Sequence, residues 1–257
     1  MEDIQGKPDH RRIDIRKVGI KNISYPVVVR DRARRIQRTV ATVNMYVNLP
    51  HHFKGTHMSR FVEILNRFHG EINLESVRHI LVEMKERLEA EAAHLEIEFP
   101  YFMRGGAKDA SPSNRPDEGL GISKYLCRMH GSLAEQDDLT LAITIPIAPP
   151  RPAPGCPGLP RSLGHWGTAD ITLRFKRFVW IEEIIELVAK ATRHDICWPD
   201  GKERAEVLCD LSVENMALAL GDELKRHPEI RDFTVRVENL ASGFSTFAVL
   251  NEKRPQI

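Results

Sequence analysis

Residues Lys54 to Phe61 read KGTHMSRF and place an ammonium, a guanidinium, an imidazole, two hydroxyls and a glycine in one short run. Phe61, Val62, Leu65 and Phe68 follow at helical spacing, so the run reads as the start of a helix over about residues 57–68. The first turn of a helix presents backbone N–H groups without intrahelical partners and the positive end of the helix dipole. With Lys54 and Arg60 beside it, such a start suits a polyanion such as a triphosphate. His57 adds a group able to move protons near neutral pH. The same residues would also serve a capped surface helix.

Other reactive residues are more scattered. His194 and Cys197 could supply a nitrogen and a sulfur to zinc, and an ordinary loop pair is the competing reading. Cys127 and His130 sit three apart in a segment that reads as strand, so they should face opposite sides of the pleat. Five arginines between Arg30 and Arg38 would suit phosphate or a solvated basic turn. No phosphate-binding P-loop, dinucleotide glycine pattern or nucleophile elbow is present.

The chain of 257 residues is 42% hydrophobic and 28% charged, the balance of a globular protein with a substantial core. A formal net charge of +1 gives no reason to expect nucleic acid or a membrane surface as partner. No apolar run approaches the ~20 residues of a membrane-spanning helix. Residues 1–12, MEDIQGKPDHRR, hold no apolar core, so no secretory signal is expected. The four cysteines form no CxxC pair and read as reduced thiols, which points to a cytoplasmic protein.

The elements that must position these groups are legible from periodicity. Residues 1–20 read as a flexible segment and Pro26 to Arg30 as the start of a strand. After the basic turn, Val43, Met45, Val47 and Leu49 alternate with Thr42, Asn44, Tyr46 and Asn48. Beyond the 57–68 helix, Leu74, Val77, Leu81, Met84 and Leu88 form one helix face with Asn73 as cap. Leu95, Ile97 and Phe99 mark a strand, residues 104–119 a loop, and residues 122–133 another strand. The second half repeats the order. Strand patterns surround Leu141 and Ile143, Ile171 and Leu173, Val235 and Val237, and residues 244–250. Helix faces carry Ile181, Ile184, Ile185 and Val188, then Val213, Met216, Leu220 and Leu224. The reading is an α+β chain of two tandem ββααββ modules, residues 21–135 and 136–257, with antiparallel sheet and helices on one face. Exposed sheet edges in such a fold favour pairing with another copy.

KGTHMSRF, with TVATVNMYVNLP just upstream, resembles the type IB GTP cyclohydrolases. The likeness runs over about residues 17–250 and is dense at 39–65 and around Val237-Glu238-Asn239. It implies a tunnelling fold, a homo-oligomer with active sites between subunits, and hydrolysis of GTP to dihydroneopterin triphosphate and formate on the way to folate. Water must attack C8 of the purine, so the resemblance implies a divalent metal, zinc or manganese. It also implies a helix glutamate that accepts from the guanine N1–H and 2-amino group.

The implied residues map onto this chain unevenly. Glu214, in Ser212-Val213-Glu214-Asn215-Met216, takes the guanine-anchor position. Lys54 and Arg60 take the triphosphate side, and His57 a catalytic, proton-transfer place. His165, after Gly164, matches a metal-binding histidine. The family's Leu-Cys-Pro-Cys is replaced by residues 147–160, IAPPRPAPGCPGLP, with Arg151 where the first cysteine would sit and Cys156 a few residues later. Cys156 is therefore the candidate replacement, as catalytic thiol and metal ligand. Trp198-Pro199-Asp200-Gly201 has glycine where the family has a ligand glutamate, with Glu203 and Glu206 nearby. The C-terminal His-Asn-His is absent, because Val237-Glu238-Asn239 runs into Leu240-Ala241-Ser242. The expectation is that His57, His165 and Glu214 serve one pocket. The alternative is a metal-less paralogue that binds a purine or pterin, or a non-catalytic subunit of a related assembly.

Overall fold

The computed structural model describes residues 15–33, 35–49, 57–68, 70–104, 122–134, 137–148, 151–152, 166–192, 195–196, 212–240 and 243–253. They form two units, residues 1–141 and 142–257. The first holds β1 (Ile15–Asp31), β2 (Arg35–Leu49), α1 (Met58–Arg67), β3 (Glu71–Ile72), α2 (Leu74–Arg87), β4 (Ala92–Arg104) and β5 (Ile122–Leu133). Its strands lie in the order β3–β1–β2–β4–β5. The β1–β2, β2–β4 and β4–β5 ladders are antiparallel, and two-residue β3 pairs parallel with β1.

One sheet face of this unit is the core. Val43, Met45, Val47, Leu95 and Cys127 are fully buried there, with Ile97, Phe99 and Tyr101 nearly so. Phe61, Ile64 and Leu65 of α1 and Val77, Ile80, Leu81 and Met84 of α2 close over it. Asn73 caps α2 as expected. Its side chain accepts from the Ser76 N–H at 2.8 Å, and its own N–H donates to Ser76 Oγ at 2.9 Å.

Two expectations change. The segment read as flexible up to residue 20 is strand from Ile15 onward, and the run read as a basic turn from Arg30 to Arg38 is mostly strand, with the chain reversing between Asp31 and Arg35. The register of β1 shifts between Ile15 and Val18 and again between Ile20 and Ile23, so its alternation is broken. Asn22 adopts φ 60°, and its N–H donates to Asn44 Oδ1 at 2.8 Å.

The second unit holds most of β6 (Asp137–Ile147), then β7 (Arg151–Pro152), β8 (Gly167–Phe175), α3 (Ile181–Ala191), β9 (Asp195–Ile196), α4 (Val213–Arg226), β10 (Ile230–Leu240) and β11 (Ser245–Lys253). β8–β10 and β10–β11 are antiparallel ladders, and β7 with β9 makes a short parallel bridge. Ile143, Ile145, Ile171, Leu173, Val235 and Val237 form the buried sheet face. α4 packs on β10 and β11, with Gly221 against Leu250. A Cβ at Gly221 would stand 2.2 Å from Leu250 Cδ2, so glycine inside this helix serves close packing. The loop expected at 104–119 lies almost wholly outside the described residues. Among the described residues no helix is long and apolar enough to cross a membrane.

Candidate active site

The start of α1 is built as a cation-flanked helix end. His57 is its N-cap in extended backbone conformation, its carbonyl accepting from the Arg60 N–H at 3.1 Å. No carboxylate occupies the first turn, so nothing on α1 competes there for an incoming anion. His57 is half-buried and Arg60 exposed. Arg60 Nη1 donates to the Arg87 carbonyl at 3.3 Å, which steers the guanidinium toward the end of α2. Lys54, the other cation assigned to this end, lies outside the described residues.

Glu214 stands in the first turn of α4 in the second unit, exposed to solvent. Ser212 caps that turn, its side chain accepting from the Asn215 N–H at 3.1 Å. A carboxylate at this place can accept two parallel N–H bonds from one planar donor edge.

His165 and Cys156, the expected metal ligands, lie outside the described residues, as do His194, Cys197, Glu203 and Glu206. Trp166 and Gly167, which follow His165, are described. The Trp166 N–H donates to the Ile147 carbonyl at 2.9 Å, and Asn239 Nδ2 donates to the Trp166 carbonyl at 2.6 Å. Gly167 pairs with Asn239, and a Cβ on it would stand 2.1 Å from the Glu238 carbonyl oxygen. Only glycine permits that approach. Arg151, expected where the family has its first cysteine, is the backbone register partner of Asp195 in the parallel β7–β9 bridge.

Among the described residues, no group of three or more His, Cys, Asp or Glu is arranged to hold a metal ion. Cys127 is fully buried, and burial pushes its thiol up to about 12, so it is an inert core residue. Cys127 and His130 do face opposite sides of β5, since the strand alternates buried and solvated positions from Cys127 onward.

One cluster was not anticipated. On the sheet face away from α1 and α2, Glu96 of β4 accepts from Tyr46 Oη at 2.6 Å and from Asn44 Nδ2 at 2.9 Å. His130 stands directly across from Glu96 on β5. His94 stacks on Tyr46, ring centroids 4.9 Å apart, and Lys17 Nζ lies 3.4 Å from the centre of the Tyr46 ring. The Tyr46 hydrogen bond, ahead of the Asn44 bond and the charges of Lys17 and His130, holds the Glu96 carboxyl below its usual range. Burial, then the Glu96 bond and charge, pushes the Tyr46 hydroxyl up, so it remains a donor. Burial first, then His130 and Lys17, lowers the His94 imidazole. Alternation places Asn44, Tyr46 and Glu96 on polar faces; only the register of β1, β2, β4 and β5 joins them.

Residues 1–242 match the family model described as type I GTP cyclohydrolase folE2. A GTP cyclohydrolase FolE2 from Syntrophobacter fumaroxidans is 41% identical over 99% of this chain and 100% of its own length. One from Geobacter sulfurreducens is 48% identical over 73% of this chain and 70% of its own. Among solved structures, uricase from Arthrobacter globiformis superposes with TM-score 0.56 at 11% identity, covering 93% of each chain. A urate oxidase from Bacillus sp. TB-90 gives 0.57 at 10%, covering 93% of this chain and all of that one. At such identity the likeness is one of fold alone.

Proposed function

Since the chain belongs to the type I GTP cyclohydrolase FolE2 family, we propose that it hydrolyses GTP to 7,8-dihydroneopterin triphosphate and formate. The observation that carries this beyond family membership is Glu214, held exposed on the capped first turn of α4. It accepts from the guanine N1–H and 2-amino group, a bidentate match that adenine does not offer. The carboxylate-free start of α1, with Arg60 and Lys54, takes the triphosphate. His57, at the N-cap of that helix, moves the proton.

His165 with Cys156 would hold a divalent metal through nitrogen and sulfur, donors that suit zinc. When bound, the ion supplies a water of lowered pKa for attack at C8. In this reading the protein is a type IB, tunnelling-fold member whose metal site is rearranged. The assembly is a homo-oligomer of two-module chains in the cytoplasm, and its product feeds folate synthesis.

A second reading has its own observation. Gly201 stands at a ligand glutamate position and the C-terminal His-Asn-His is missing. That favours a metal-less paralogue that keeps the purine site through Glu214, or serves as a non-catalytic subunit.

Metal content and formate release, measured on one purified sample with GTP, separate the two. Metal at about one ion per chain with formate release is the expected result, and Glu214→Gln should then raise KM for GTP about tenfold or more. No formate after adding zinc or manganese overturns the enzymatic reading. Unchanged GTP binding in Glu214→Gln overturns the anchor.

A further inference from the structure

We propose that Asn239 is a positioning residue for this reaction, its side-chain amide locking the Trp166 carbonyl and so the backbone that follows His165. The inference rests on the reading of His165 as a working residue.

The lock has two bonds. The Trp166 N–H is held by the Ile147 carbonyl at 2.9 Å, and the Trp166 carbonyl by Asn239 Nδ2 at 2.6 Å. A peptide unit is planar, so the amide of Trp166 shares its plane with the Cα of His165. The first bond therefore orients the plane on which the histidine is mounted. The second orients the next plane along the chain. Two consecutive planes anchored to β6 and β10 fix the backbone torsions of Trp166, the residue that follows His165.

The ladder does not need this bond for its own register. β8 and β10 already pair from Ile230–Phe175 to Asn239–Gly167 through backbone groups. The Asn239 amide acts beyond the last of those pairs, on a carbonyl outside the strand. Gly167 makes the reach possible, because β8 can approach the Glu238–Asn239 backbone closely only without a Cβ. The result is a side-chain brace just beyond the C-terminal end of the segment that carries Cys156 and His165.

The test compares Asn239→Asp, which keeps the shape and removes the donor, and Asn239→Ala with Thr234→Val. Thr234 Oγ1 donates to Asn251 Oδ1 at 2.7 Å, so the control also removes one side-chain bond from β10, away from Trp166. Misplacement of a reacting group lowers turnover more than binding, so both Asn239 variants should lose about tenfold or more in kcat with KM for GTP within about twofold. Thr234→Val should keep wild-type kinetics. Hydrogen exchange of the peptide containing Trp166 should quicken about tenfold in the Asn239 variants and not in the control. Wild-type kcat in folded Asn239→Asp and Asn239→Ala, or unaltered exchange at Trp166, overturns the proposal. A wild-type chain that releases no formate retires the GTP reading instead, and the exchange result still decides whether the lock exists.

Discussion

Glu96 shows how a single carboxylate is held charged on an open sheet face. Two donors, Tyr46 and Asn44, approach it from β2, and Lys17 and His130 lie within electrostatic reach. His94, two residues earlier on the same face, is held toward its neutral form by burial, His130 and Lys17, with Glu96 opposing. Both shifts act in one direction with pH. A histidine whose folded pKa lies below its unfolded value of about 6.5 takes up protons more readily when unfolded, so stability falls as pH drops through that region. A carboxylate whose folded pKa is depressed adds stability above its unfolded value of about 4.3 and loses it as pH falls further. The His94 contribution can be isolated. His94→Phe keeps a ring against Tyr46 and removes the titration. Urea melts at pH 7.5 and 5.5 should show a smaller acid loss for the variant than for the wild type. An equal loss in both would remove His94 as the source.

Elements that obey one period were readable, and those that do not were not. α2 carries its apolar face at 3.6-residue spacing and its cap in the letters Asn73 and Ser76. Asn73→Ala deletes the acceptor for the Ser76 N–H and should cost about 1 kcal/mol, measured by equilibrium denaturation. A loss below about 0.3 kcal/mol would mean that Ser76 Oγ, which also bonds the Glu71 carbonyl, holds the turn alone. β1 defeated the same reading. Its two register shifts and the left-handed Asn22 interrupt alternation over residues rich in charge, so the strand carries no period to read. The arginines of 30–38 hide strand in the same way, because long charged side chains are as compatible with an exposed strand face as with a turn.

At the scale of the whole molecule, β11 is the edge of the second unit's strand order, and Phe247 and Val249 on it are 57% and 49% exposed. Phe244 and Leu240 beside it are 67% exposed each. An edge strand with exposed apolar side chains invites pairing, which supports the proposed homo-oligomer. Light scattering on the full chain should give a mass of two or more subunits, and Phe247→Lys should shift it toward smaller species. A single-chain mass for the wild type would remove the oligomer from the proposal.

The α+β class, the order of the long strands and helices, the cap of α2 and the place of Glu214 on α4 were set by the sequence itself. Each depends on periods or neighbours within a few residues, and local sterics and solvation are written at that range. The Glu96–Tyr46–Asn44 cluster and the Asn239–Trp166 lock are of another kind. Their partners lie 50, 52 and 73 residues apart. Whether such groups meet depends on strand register, where a slip of one residue sends every side chain to the opposite face. Register is a property of packed neighbours, and only the tertiary structure decided it.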